Sequence, residues 1–446
     1  MNLHSMLSER GSAGRPLRVA LVGAGKFGTM WLSQAARTPG IHVLAVADLK
    51  PERARAALAM AGFAPERIAA KTAAEAGRRG TTFLTEDAEA LIEGPEVEVV
   101  VDATGSPAAG VGIALACARG GKHVVMVNVE ADALCGPFLA RRCREAGVVY
   151  SLAYGDQPAL ICELVDWARA AGFPVVAAGK GTKYLPRYHQ STPDSVWADY
   201  GIPPEQARAA GMNARMFNSF LDGTKSAIEM AAVANATGLA PAPDGLAFPP
   251  CGTDELPRVL RPRDAGGTLH HAGQVEVVSS LRRDGAQVER DLRWGVYVVF
   301  EAPTDYAARC FSEYGIATDE SGRYAALWRP YHLIGLELGI SIASAGLRKE
   351  PTGAPRAWIA DVAATAKRDL ASGEVLDGEG GFLVYGKLMP AADARRADAL
   401  PIGLAHGVRL TSAVRAGAPV RWAEVEIDGG TGVVRARKEM ERLFST

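Results

Sequence analysis

The apolar positions of this chain fall first into near-continuous runs and only later into mixed periods. RVALV covers residues 18–22 and HVLAVAD covers 42–48, with VEVVVDATGSP (97–107) and KHVVMVNVEAD (122–132) following at wider intervals. Unbroken runs of this length, bounded by glycine or polar residues, predict parallel strands buried on both faces. Helix-length stretches such as TMWLSQAAR lie between them. This alternation predicts an α/β domain with a doubly wound parallel sheet over residues 1–157, with a flexible terminus at 1–16.

The first run continues directly into GAGKFG. Gly23, Gly25 and Gly28 stand in G-x-G-x-x-G spacing, with Lys26 and Phe27 between the last two. The first glycine permits a tight turn and the second lets the backbone approach a pyrophosphate. The third allows close packing of the next helix, whose N-terminal N–H groups face the phosphates. The second run ends in Asp48, twenty residues beyond Gly28, where a carboxylate binds a ribose 2′-hydroxyl. Thr104 and Gly105 close the third run and Asn128 the fourth. The expectation is a Rossmann dinucleotide-binding domain with its cofactor at the carboxyl edge of the sheet. Asp48 favours NAD, because its charge repels the 2′-phosphate of NADP. Lys50 and Arg53 close by keep NADP open as the alternative.

After YSLAYGDQPA (150–159) the periodicity changes. LICELVDWARAAG predicts a helix and PVVAAGKGTKY (174–184) a strand. Residues 239–273 read as long loops rich in Pro and Gly, and VYVVFEA (296–302) as another strand. Residues 324–347 combine a strand-like start with a helix. These features predict an α+β substrate domain over 158–355, closed by a linker at PTGAPR (351–356). Beyond it the chain is strand-rich, with turns at 371–374, 377–381 and 426–432. The segment VAATAKRDLASGEVLDG (362–378) resembles the signature of a SAF-type fold, which sets a small β-rich module at 356–446.

Composition narrows the class of partner. Of the 446 residues, 48% are hydrophobic, and the formal net charge is -1. That balance gives no electrostatic reason for nucleic acid or an anionic membrane as partner. The N-terminus lacks the apolar core of a leader, and no run approaches the length of a membrane span, so the expected location is the cytoplasm. Six scattered cysteines without CxxC spacing read as free thiols. HExxH, G-x-S-x-G and P-loop motifs are all missing, which leaves nucleophilic hydrolysis and phosphoryl transfer from ATP unsupported.

FLDGTKSAIEMAAVANATG (220–238) has a character of its own. It reads as one helix bearing Asp222, Lys225 and Glu229 at i, i+3 and i+7, followed by a tail of small residues. A helix this apolar is buried nearly all round, so its charges are expected in a protected site. The plain alternative is a solvated face with weak helical ion pairs. Lys180 directly follows the apolar run VVAAG and joins the candidate catalytic set, whereas Lys183 reads equally well as a surface lysine. Arg329 and His332 in WRPYHL, Glu130 in NVEAD and Asp156 in YGDQP are candidate substrate contacts. Helix capping, or a core histidine bonded to backbone, are the plainer roles for these types. Glu130, Asp132, Asp156 and Glu229 are also candidate ligands of a divalent metal, although their spacing does not demand one.

VDATGSP, HVVMVNVEADALCGP, YSLAYGDQP, AGKGTK, FLDGTKSAIEMAAVANATGL and WRPYHL together make the chain resemble the 1-deoxy-D-xylulose 5-phosphate reductoisomerase-like proteins, relatives of homoserine dehydrogenase. The resemblance spans nearly the whole chain. It implies an NAD(P)-dependent homo-oligomer, a dimer or tetramer, acting on a small sugar acid or sugar phosphate. Hydride transfer would be coupled to isomerisation or skeletal rearrangement. The homoserine dehydrogenase relationship implies Asp222 and Lys225 as the acid–lysine pair of the substrate site. Two departures bear on this. Homoserine dehydrogenases typically follow the strand-end Asn with Lys, and here Asn128 is followed by Val129 and Glu130, which argues against homoserine as substrate. The basic segment that suits NADPH is replaced by VADLK (46–50), which favours an oxidising reaction with NAD. In the expected mechanism Lys180 and Lys225 stabilise alkoxide or enediolate charge and Asp222 or Glu229 moves protons. Arg329 and His332 hold a distal carboxylate or phosphate. A simple hydroxy-acid dehydrogenase and a non-catalytic nucleotide or sugar sensor are the alternatives.

Overall fold

The structure is a computed structural model and describes residues 2–444. The chain divides into two compact units. The first comprises the chain through Leu160, the segment His332–Arg356 and the C-terminal stretch from Thr431. Its elements run α1 (Leu3–Ser12), β1 (Leu17–Val22), α2 (Lys26–Ala35), β2 (Ile41–Ala47), α3 (Pro51–Met60), α4 (Ala73–Arg79) and β3 (Phe83–Thr85). There follow α5 (Ala88–Glu93), β4 (Val99–Asp102), α6 (Pro107–Gly120), β5 (His123–Met126), α7 (Val129–Glu145) and β6 (Tyr150–Leu152). The strands form one parallel sheet in the order β3-β2-β1-β4-β5-β6, the Rossmann arrangement. β4 and β5 are buried at every position, which is why their valine-rich sequence does not alternate.

Both of these strands are shorter than their apolar runs. β5 stops at Met126, and Asn128 caps α7 by accepting from the Ala131 N–H at 3.2 Å. Glu130 and Asp132 therefore fall in the first turn of α7, where acidic side chains complement the helix dipole. The terminus expected to be flexible is helical from Leu3 to Ser12, while Met1 lies outside the described residues. One buried side chain, Leu7, and an Arg10–Glu98 ion pair of 2.9 Å hold that helix. So small an apolar face leaves almost no periodic signal.

The linker PTGAPR is tied down rather than loose. Thr352 Oγ1 donates to the Leu152 carbonyl at 2.8 Å, and the Leu152 N–H donates to the Gly353 carbonyl at 2.8 Å. The final helix, Gly432–Leu443, belongs to the first unit and not to the preceding β-rich module. Its Arg437 is 1% exposed and donates to the Leu134 carbonyl of α7 at 3.0 Å, so a residue that reads as a surface arginine is a packing element.

The second unit, Ile161–Tyr331 with Ala357–Gly430, is built on the four-stranded sheet β10-β9-β7-β8. Its strands are β7 (Val175–Thr182), β8 (Gln274–Ser279), β9 (Val296–Glu301) and β10 (Tyr324–Arg329), with β8 parallel and β9 antiparallel to β7. The helices are the later part of α8 (Gln157–Ala170), then α9 (Val196–Tyr200), α10 (Pro204–Ala209), α11 (Ala214–Leu221) and α12 (Thr224–Thr237). The β-rich module adds the antiparallel pair β11 (Ala360–Ala366) and β13 (Val384–Pro390). It also holds β12 (Val375–Asp377), β14 (His406–Leu410) and β15 (Val425–Glu426). α12 packs against β8 and against the β11–β13 pair, and every α12 residue but Lys225 and Thr237 is buried. That double contact explains its small side chains. A Cβ on Gly386 of β13 would stand 2.9 Å from Thr224, and Asn235 bonds the main chain of Ile359 and Ala360. A larger α12 residue would separate the sheets.

Asp132 of α7 gives the fold a pH signature. Its side chain is fully buried, with one carboxyl oxygen accepting from Tyr150 Oη at 2.8 Å, and burial pushes its pKa up to about 7. The folded acid keeps its proton to higher pH than the unfolded chain. Its contribution to stability is therefore complete below about pH 4 and is lost as pH rises through the folded value. Asp132→Asn keeps the acceptor for Tyr150 and removes the titration. The Tm of the variant relative to the parent should rise between about pH 4 and pH 7 and level off above in thermal melts; a gap that does not change with pH would contradict this assignment.

Candidate active site

Two groups of candidate functional side chains stand out, one in each unit. In the first unit the glycine loop joins β1 to α2. Gly23 has φ +94°, and a Cβ there would stand 2.7 Å from the Ala103 carbonyl oxygen. Gly25 caps α2 and has no neighbour where a Cβ would sit, leaving its backbone open to a ligand. Gly28 lies so close to the loop that a Cβ would meet the Gly23 carbonyl oxygen at 2.4 Å. Each glycine thus has the separate reason its motif requires. Lys26 is exposed at the first turn, and Phe27 is partly buried against the sheet core.

Asp48, just past β2, has its carboxylate held from three sides. Oδ2 accepts from the Ala24 N–H at 2.9 Å, and Oδ1 accepts from the Lys50 N–H at 2.9 Å and pairs with Arg53 at 3.2 Å. Past β4, Thr104 donates through its N–H and hydroxyl to Asp102 at 3.0 and 2.8 Å. Asn128 Nδ2 donates to the Ser106 carbonyl at 2.7 Å and also reaches Asp102 and Thr104. Burial raises the Asp102 pKa to about 6 against these hydrogen bonds. Asp102, Thr104 and Asn128 thereby shape the loop, and Gly105 follows at φ +66°. A cavity of about 560 Å³ opens here, lined by Gly23, Gly25, Asp48, Arg53, Thr104 and Ser106 among others. It lies where the strand order reverses between β1 and β4, the place where doubly wound sheets take a dinucleotide. The residues present fit that cofactor.

In the second unit two buried ion pairs flank the start of α12. Lys180 of β7 donates to Glu229 of α12, and their side chains are 6% and 4% exposed. Lys180 is an interior β7 residue, not a strand-end one. The second pair joins Asp222 to Lys367 at 2.8 Å, with side chains 0% and 3% exposed. The expected single helix 220–238 is divided: α11 ends at Leu221, and Gly223 takes φ +89° before α12 begins. Asp222 therefore does not share a helical face with Lys225 and Glu229. A glycine after a short polar residue was the available sign of this break. Both Asp222 oxygens are engaged, Oδ1 by the Thr224 N–H at 2.9 Å and Oδ2 by Lys367. Desolvation raises the Asp222 pKa, and the Lys367 ammonium opposes that rise.

A histidine the sequence did not single out adjoins this turn. His189 Nδ1 donates to the Asp222 carbonyl at 2.7 Å, which leaves Nε2 to accept from Tyr184 Oη at 2.9 Å. Its ring stacks on Tyr385 with centroids 4.6 Å apart, and burial lowers its pKa. Tyr184, His189, Lys367 and Tyr385 come from three distant segments, so no local spacing marks them. Of the other expected residues, Lys225 is half-buried in α12 and Asp156 is buried beside the start of α8, accepting from the Gln157 N–H at 2.9 Å. Glu130 is half-buried in α7. Arg329 ends β10 in the second unit, and His332 lies in the first. Lys183 donates to the Asp199 carbonyl and lies 5.3 Å from the Tyr200 ring centroid.

Two of the four carboxylates considered as metal ligands are engaged by other groups. Asp132 faces Tyr150, Glu229 faces Lys180, and among the described residues no three His, Cys, Asp or Glu side chains form a metal-binding group. No described helix is long and apolar enough to cross a membrane.

Comparison with known proteins finds three matching stretches. Residues 23–147 match the homoserine dehydrogenase NAD-binding domain, residues 155–338 match the catalytic domain of oxidoreductase DRL, and residues 361–426 match the SAF domain. No curated protein matches the sequence. Among solved structures, a probable dehydrogenase from Thermotoga maritima is 15% identical, with 75% of this chain and 90% of that one covered and a TM-score of 0.36. A homoserine dehydrogenase from Thiobacillus denitrificans is 19% identical, with 50% and 49% covered and a TM-score of 0.36. The WlbA dehydrogenase from Bordetella pertussis, solved with NADH and UDP-GlcNAcA, is 19% identical, with 44% and 51% covered and a TM-score of 0.28. The chain spans about half the length of the last two.

The Gly28 contact yields a direct test. Gly28→Ala forces a methyl group against main chain that cannot move without opening the loop. NADH binding, followed by fluorescence titration, should weaken by roughly tenfold or more. Unchanged affinity would place the cofactor elsewhere.

Proposed function

Proceeding from an NAD(P)-dependent oxidoreductase with homoserine-dehydrogenase-type and DRL-type domains, we propose that the chain oxidises a small polyhydroxylated sugar acid or sugar phosphate with NAD. The observation that carries this reading is the Lys180–Glu229 pair, buried on β7 and α12 within the stretch that matches the oxidoreductase catalytic domain. Two charges withdrawn from water are costly, and their juxtaposition is suited to moving a proton. The nicotinamide cofactor supplies the hydride acceptor. Passage of a proton from Lys180 Nζ to Glu229 converts the pair to a neutral amine and acid. The amine then takes the proton of the substrate hydroxyl as hydride leaves the adjoining carbon, and the carbon–oxygen bond becomes a carbonyl. Lys225 binds the neighbouring substrate oxygen and stabilises negative charge there. That second contact is what an enediolate requires, so isomerisation coupled to oxidation is the finer form of the reading. Arg329, of the same unit, is assigned to the substrate's anionic group.

The choice of NAD rests on Asp48, whose carboxylate borders the cofactor cavity and opposes a 2′-phosphate. Asp48→Ser should reduce the preference for NAD over NADP by roughly tenfold or more in kcat/KM. An unaltered ratio would remove Asp48 from cofactor selection. The substrate class is tested by incubating the protein with NAD and a panel of sugar acids and sugar phosphates, following absorbance at the NADH band and product structure by NMR. With the substrate so found, Lys180→Met should lower kcat by roughly a hundredfold or more while NADH affinity stays at the parent value. Full turnover in that variant would overturn the assignment of the pair.

A further inference from the structure

The turn DGEGG at 377–381, legible in the sequence only as a loop of the SAF module, is seated on α11 by a dense set of polar contacts. Lys367 Nζ donates to Asp222 Oδ2 at 2.8 Å, to the Ser191 carbonyl at 2.7 Å and to the Gly381 carbonyl at 2.8 Å. These three acceptors use all the protons of an ammonium group. Asn218 of α11 donates to the carbonyls of Ser191 and Gly380, each at 3.1 Å, while Arg215 donates to the Asp377 carbonyl at 2.7 Å. Gly380 is obligatory at this seat, because a Cβ would stand 2.1 Å from the Arg215 carbonyl oxygen. On the other side of the turn, Asp222 receives the Thr224 N–H through Oδ1 and offers its own carbonyl to His189.

From this arrangement we infer that the SAF module is a built-in part of the substrate site, and that Lys367 is a positioning residue that holds the Asp222–Gly223 turn at the head of α12. The inference rests on the proposed role of α12 in the reaction. An ammonium placed on Asp222 Oδ2 fixes the carboxylate, the carboxylate fixes the Thr224 N–H, and Gly223 supplies the reversal of direction. Lys225 and Glu229 follow on α12 within two turns, so their positions depend on how that helix starts. His189 is oriented by the same residue's carbonyl. With both of its oxygens engaged, Asp222 acts through position rather than by taking a proton.

Three full-length variants test this. Lys367→Met removes the cation, and because a buried carboxylate is then left without its partner, Lys367→Met/Asp222→Asn is prepared to restore folding with neutral groups. Lys367→Arg is the conservative variant. Thermal melts and NADH titration establish that each variant folds and that the cofactor groove is intact. Hydrogen–deuterium exchange is read on the peptide covering 219–228. In the double variant, exchange there should quicken by about tenfold while that of the β1–β6 strands is unchanged, and kcat should fall by about a hundredfold with NADH affinity retained. Lys367→Arg should recover part of the lost kcat. A double variant with parental exchange and parental kcat would overturn the inference, as would loss of kcat without any change in exchange over 219–228. Failure of the proposed chemistry shows separately, as full turnover in Lys180→Met, whereas the exchange measurement needs no substrate.

Discussion

A charge taken out of water must meet an opposite charge, and the second unit is organised around that requirement. α12 is almost wholly enclosed, with β8 on one side and the β11–β13 pair of the SAF module on another. Its glutamate is matched by Lys180 from β7, and the aspartate just before it by Lys367 from the SAF module. The two partners come from the two separate segments of this unit. Removing either one would leave a desolvated charge, a loss commonly worth about 3–5 kcal/mol. The Asp222–Lys367 pair therefore ties the SAF module to the head of α12, the Lys180–Glu229 pair ties α12 to β7, and the small residues of α12 permit the close approach of both.

The first unit solves a different problem, the presentation of backbone N–H groups to the pyrophosphate of a dinucleotide. Here the constraint is steric rather than ionic. Gly23 and Gly28 stand where a Cβ would collide with main chain, so the loop can fold back on the sheet only without side chains. Charge then refines the site. Asp48 is bonded to the loop's own Ala24 N–H, so the acid just past β2 is fastened to the glycine turn. Asp102 does the same for the next loop through Thr104 and Asn128. A rigid groove results from short polar links between consecutive strand ends.

Both sites obey the same logic of committed polar groups. Asp222, Lys367, Asp102 and Asn128 are each saturated by neighbours, and such groups act by orienting others. Lys180 and Glu229 form the other buried pair of this unit, within the stretch that matches an oxidoreductase catalytic domain.

The sequence by itself determined the parallel sheet, the glycine turn, the acid after β2 and the SAF-like end, because each leaves a periodic or spaced mark along the chain. It also marked α12 as a buried helix with ionic residues. Only the tertiary structure decided their partners. Asp222 lies 145 residues from Lys367 and Glu229 lies 49 from Lys180, separations across which no spacing rule operates. It likewise divided the expected helix at Gly223, made a helix of the terminus from a single buried leucine, and sent the final helix to the first unit through Arg437. Local hydrogen bonding and steric exclusion are written along the chain, whereas the pairing of buried charges is settled only when distant segments compete for the same enclosed space.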